Sequence, residues 1–160
     1  MPTLIDQFRE TFEGEVQPGM CWITDGRRET AVLGLIDGLT SEQAFATPPG
    51  RKPGARSIAA HVEHLRLALD WTLERMHGRN PETDWANSFN VPTASPEAWA
   101  TLQREVRRAY DAVLAFIQRS RRTRVQDMPP IHVAGLAAMI AHNAYHLGAI
   151  QQMAKAIRGD

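Results

Sequence analysis

The sequence predicts an all-α protein, a four-helix bundle with a long crossover between its second and third helices. Apolar residues recur at spacings of three and four along most of the chain, the period of a helix with one buried face. No stretch alternates with the period of a strand. A sixteen-residue linker, Arg79 to Ala94, separates two of the helical runs. The 160 residues are read as one domain, 1–160, large enough to bury its own core.

Leu4, Ile5, Phe8 and Phe12 make a short amphipathic opening, which "EGEVQPG" interrupts. A second run, roughly Ile23 to Asp37, places Val32, Leu35, Ile36 and Leu39 on one side, with Thr24 or Asp25 as its N-cap. Thr40 and Gln43 form a capping-box start for one further turn. "TPPGRKPGA" then breaks the helical pattern. Ser57 opens a helix reaching about His77, with Ile58, Val62, Leu65, Leu69, Leu73 and Met76 as its apolar stripe and Gly78 as its stop. The linker from Arg79 spans up to about 50 Å if extended. A helix of about twenty residues is only about 30 Å long, so the linker can cross the whole bundle. Ser95 caps the next helix, with Pro96 at its first position. That helix buries Trp99, Leu102, Val106, Ala109, Val113, Phe116 and Ile117 and ends in the cationic "RSRRTR". The last helix, about Pro130 to Arg158, is apolar over so wide an arc that it is expected at the centre of the bundle.

Eighteen basic and eighteen acidic residues cancel, which removes the electrostatic case for a nucleic-acid or anionic-membrane partner. The single cysteine, Cys21, forms no internal disulfide and fits a reducing, cytoplasmic setting as a small packed side chain. No run of about eighteen apolar residues marks a membrane span, and the opening residues lack a secretory signal.

Six histidines lie at positions 61, 64, 77, 132, 142 and 146. His142 and His146 stand one turn apart on the same face of the most apolar helix. Imidazole is costly to bury without partners, and two so placed can bind one metal ion through ring nitrogens at about 2.1 Å. A third ligand has two candidates on the helix that Ser57 opens, His61 and His64. Helical phase favours His61, which lies beside the Ile58–Leu65 stripe. His77 and His132 fit surface or capping roles. Three histidines without a fourth protein ligand make an open site, in which zinc, nickel, iron or manganese is acceptable to imidazole. No general base is evident. Glu63 projects away from His61, Tyr145 diverges from the ligand face, and Asn143 is expected to pack against or bond to a neighbouring helix. Trp71, Trp85 and Trp99 are read as packing residues.

Two segments carry a family resemblance. "ARSIAAHVEHLRLALDW" resembles the second-helix motif of the DinB/YfiT-like superfamily, and "HNAYHLGAIQQM" resembles its last-helix motif, here His142, His146, Gly148 and Gln151. The likeness spans about residues 22 to 158. It implies a metal triad of His61, His142 and His146, a bundle with the long crossover, a divalent metal (zinc or nickel foremost, iron or manganese otherwise) and a homodimer. It also implies transfer of a low-molecular-weight thiol (bacillithiol, mycothiol or glutathione) to an electrophilic substrate, or thiol-dependent isomerisation.

Two other functions compete with a thiol S-transferase. One is a non-enzymatic, stress- or damage-induced metal-binding protein that works through dimerisation, with Phe45, Trp85 and Phe89 as candidate apolar contacts. The other is a metal-dependent hydrolase, disfavoured by the lack of a carboxylate base.

Overall fold

A computed structural model describes residues 3–91, 93–119 and 130–159. All regular structure among them is helical. The helices are α1 (Leu4–Glu13), α2 (Val32–Asp37), α3 (Ser41–Phe45), α4 (Ile58–Met76), α5 (Pro96–Arg119) and α6 (Pro130–Arg158). Single 3-10 turns occur at Arg28–Thr30 and Trp85–Asn87. Only α4, α5 and α6 are long.

The local signals operate as physical chemistry dictates. The Thr40 hydroxyl accepts from Gln43 N while the Gln43 side chain accepts from Thr40 N, closing the capping box of α3. Ser57 Oγ accepts from Ala60 N at the start of α4, and Ser95 Oγ accepts from Ala98 N at the start of α5. Gly78 follows the last turn of α4 at φ 78°, a conformation that suits glycine. The α4 stripe of Ile58, Val62, Leu65 and Leu69 is fully buried against α5, from which Trp99, Val106, Ala109 and Val113 face it. Of "RSRRTR", Ser120 to Arg124 lie outside the described residues.

The segment Ile23 to Asp37 differs from expectation. Only Val32–Asp37 is α-helical, and neither Thr24 nor Asp25 caps a helix. The cause is a distant carboxylate. Glu10 of α1 is 1% exposed and accepts the backbone N–H groups of Trp22, Ile23 and Thr24 at 2.7–3.0 Å. Those bonds tie the backbone of Trp22 to Thr24 to α1, and Gly26, at φ 86°, turns the chain out of helical geometry. Asp25 instead holds the Arg27 guanidinium and the Thr30 hydroxyl. Those bonds keep its carboxyl well below the usual range.

Gly34 sits where that turn meets α2. A Cβ there would lie 2.2 Å from the carbonyl oxygen of Arg28. Helix propensity favours alanine over glycine by about 1 kcal/mol, but overpacking against backbone costs about 1–3 kcal/mol. Gly34→Ala is therefore expected to lower the urea midpoint. A midpoint equal to or above wild type would show that the turn yields freely.

The last helix also departs from its predicted central position. Burial begins only at Met139, and Ile131 is 73% exposed. From Met139 on, Ile140, Leu147, Ile150 and Ala154 pack inward, chiefly against α1 and α4. Apolarity all round a helix provides the capacity for burial, but neighbours must supply it.

Candidate metal centre

The candidate site lies between α4 and α6, under the linker that joins α4 to α5. His61 and His64 project from α4 toward His142 and His146 on α6. The His142 and His146 ring centroids are 4.6 Å apart, as one helical turn places them. One ring nitrogen each from His64, His142 and His146 lie within 4.8 Å of one another. His64 Nε2 is 2.9 Å from His142 Nε2. His61 completes a four-imidazole cluster, its Nδ1 2.9 Å from Nδ1 of His146.

The sequence placed His61 in the triad and left His64 outside. The structure brings both to the cluster and buries His64 the more deeply, at 9% exposure. The two residues are three apart and so differ by only about 60° in helical phase. The linker contacts the two differently. Ser88, 4% exposed, and Phe89 fold over His64, Phe89 stacking on its ring at 4.1 Å with planes 5° apart. Phe89 meets His61 only edge-on, at 5.4 Å. Neither Ser88 nor Phe89 is marked by periodicity. The one available signal was the length of the linker, since long ordered connections often carry function.

The hydrogen bonds fix the state of the rings. The Ser88 hydroxyl donates to the carbonyl of Trp85 at 2.7 Å, so it accepts from His64 Nδ1–H, also at 2.7 Å. A neutral His64 then carries its lone pair on Nε2. The Asn143 side-chain oxygen faces His142 Nδ1 at 3.4 Å and asks for a proton there. This leaves a second lone pair on His142 Nε2. Two lone pairs meeting at 2.9 Å repel unless a cation lies between them. Nitrogens sharing a metal at about 2.1 Å stand about 3–3.4 Å apart, close to this separation. The donor set therefore fits a divalent metal.

Burial and the neighbouring imidazoles keep the rings neutral. Burial first, then His142, His61 and Arg56, lower the His64 pKa to about 4. Burial first, then the other three rings and Arg56, lower that of His146 to about 3. Burial also lowers His61 and His142. Neutral imidazole is the form that coordinates.

Other singled-out residues lie elsewhere or do other work. Glu63 is held by Arg66 at 2.6 Å and bonds to none of the four imidazoles. His77 ends α4, its Nδ1 2.9 Å from Leu73 O, and His132 is exposed near the start of α6. Trp99 is buried and donates to Leu39 O, while Trp85 packs edge-on against His64 and Trp71. Asn143, expected to pack against or bond to a neighbouring helix, is buried beside His142, and its Nδ2 has no hydrogen-bond partner among the described residues. Tyr145 is 72% exposed and touches His146 edge-on. Gln151 donates to Thr30 O at 2.6 Å and ties α6 to the turn before α2. Phe45 packs edge-on against Trp99, which with the covered Phe89 leaves Trp85 as the exposed member of the three expected apolar contacts.

Described residues whose regular structure is all helical, and which gather four neutral histidines from two packed helices, define a class, the helical proteins with a candidate multi-histidine metal centre. The chain belongs to the DinB superfamily, whose family profile matches residues 25–150. No curated protein and no solved structure matches the sequence. Among the described residues, no helix is long and apolar enough to cross a membrane.

Proposed function

We propose that this protein is a metal-dependent enzyme that transfers a low-molecular-weight thiol to an electrophile, with His64, His142 and His146 as the metal ligands. The reading is carried by their three ring nitrogens within 4.8 Å, drawn from two helices. In it, His146 donates from Nδ1–H to Nδ1 of His61, which leaves His146 Nε2 for the metal. Ser88, Asn143 and His61 then each orient one ligand, the arrangement that fixes ring tautomers around metals. The sequence choice of His61 as a ligand is the alternative set.

A divalent metal, zinc or nickel first and iron or manganese otherwise, supplies a Lewis acid that lowers the pKa of a bound thiol. The residues orient and shield. Phe89 and Trp85 cover His64 from water, and half-buried His61 and His142 leave an approach from solvent. The thiol proton leaves to solvent. The sulfur lone pair forms the S–C bond, and the leaving group departs with its bonding pair.

The wider reading is a single four-helix-bundle domain over 1–160, in which the linker is the long crossover. It is a cytoplasmic homodimer. The exposed Ile131 and Tyr145 on α6 offer the dimer an apolar surface. Conjugation assays on untagged, metal-loaded protein with a panel of thiols and a chromogenic electrophile test the activity. Turnover is expected with at least one thiol and is lost on chelation. Metal content without turnover favours the stress-induced binding protein. Turnover of an ester or amide in place of thiol transfer favours the hydrolase, although no carboxylate bonds to the four imidazoles among the described residues.

A further inference from the structure

Arg56 lies just before the Ser57 cap of α4. Its guanidinium carbon stands 3.5 Å from the centroid of the Phe89 ring. His64 stacks on Phe89 at 4.1 Å. Two groups cannot share one face of a ring, so Phe89 is sandwiched, with the guanidinium outward and the imidazole inward. The cation–π contact holds the charge at the mouth of the histidine cluster.

Arg56 forms no ion pair among the described residues. The carboxylates on the same helix are committed elsewhere, Glu63 and Asp70 to Arg66 and Asp70 also to Arg108. Asp84, on the linker, caps its own turn through Asn87. The cluster thus combines neutral ligands, a site for a dication and one fixed guanidinium, with no anion bonded to it among the described residues. A planar fork of donors without a partner matches a carboxylate.

We infer that Arg56 is a specificity residue that binds a carboxylate of the substrate while the reacting group sits at the histidines. This deepens the thiol-transfer reading and rests on it for the identity of the reacting group. The preferred substrates are anionic, with the carboxylate on either the thiol or the electrophile.

The test uses the full chain loaded with cobalt(II) at low ionic strength. The probes are 3-mercaptopropionate, its amide, 2-aminoethanethiol, propionate and propionamide. Sulfur binding is read from the thiolate-to-cobalt absorption band, and carboxylate binding from tryptophan fluorescence, since Trp85 packs on His64. The mercapto acid is expected to bind about tenfold or more tightly than its amide. R56Q removes that preference, R56K keeps part of it, and R56E shifts it toward 2-aminoethanethiol. A preference seen only between propionate and propionamide assigns the carboxylate to the electrophile. Equal binding of acids and amides by wild type, or a preference that survives R56Q, overturns the inference. Absence of a thiolate band with every thiol overturns the thiol reading instead, and the propionate pair still decides on Arg56. Arg56 is exposed, so unchanged thermal melting of the variants is expected and certifies their fold.

Discussion

His64→Ala is expected to strip the protein of its metal, whereas His61→Ala weakens binding and leaves a measurable site. Removing one of three ligands costs about a thousandfold in affinity if the binding energy is shared among them. Removing a partner that only orients a ligand costs about 10–100-fold. Metal analysis and chelator competition on untagged protein distinguish the two. A glutamine at position 61 keeps an acceptor near His146 Nδ1, so His61→Gln should recover part of the loss, whereas His64→Gln should not recover its own. His142→Ala and His146→Ala should behave like His64→Ala. If His61→Ala empties the site and His64→Ala does not, the triad is His61, His142 and His146. Equal, near-zero metal in wild type and all variants would make the cluster a hydrogen-bonded core feature.

The same pair of histidines shows what a sequence can and cannot convey. His142 and His146 were legible because an i, i+4 pair is a local fact of helix geometry. The choice between His61 and His64 was not, because about 60° of phase is less than the width of a buried face. Ser88 and Phe89, which contact His64 more closely than His61, are placed there by the fold of a long linker. The caps at Thr40, Ser57 and Ser95 were legible for the same local reason, as were the stripes of α4 and α5. The stretch from Ile23 to Thr30 lies ahead of the apolar stripe that begins at Val32, and Glu10, twelve to fourteen positions away, holds the amides of Trp22, Ile23 and Thr24 in a turn. No periodicity records such capture. The start of α6 failed differently. Its composition is that of a buried helix, yet Ile131 and Ala134 face solvent.

Phe12→Ala is expected to lower stability by about 3–5 kcal/mol, and the melting temperature by roughly 10 °C. The family match begins at residue 25, so α1 lies outside it. Its side chains are nevertheless core. Phe8 and Phe12 are 0% exposed, and Phe12 stacks on Tyr110 of α5 with centroids 4.7 Å apart. Truncating Phe12 loses a large apolar surface and leaves a cavity that fixed neighbours cannot close. Tyr110→Phe is the control. It removes the hydroxyl that donates to Glu13, but Glu13 keeps Arg9 at 2.7 Å, so the cost is about 1 kcal/mol. The consequence reaches the metal centre because α6 rests mainly on α1 and α4. Once α1 is loosened, a metal held between His64 on α4 and His142 and His146 on α6 becomes the remaining clamp. A hundredfold excess of metal over its Kd adds about 2.7 kcal/mol through linkage. Phe12→Ala should therefore regain part of its lost melting temperature when metal is added, and Phe12→Ala combined with His64→Ala should regain none. A loss below about 1 kcal/mol for Phe12→Ala would mean that α1 is an accessory to the core rather than part of it.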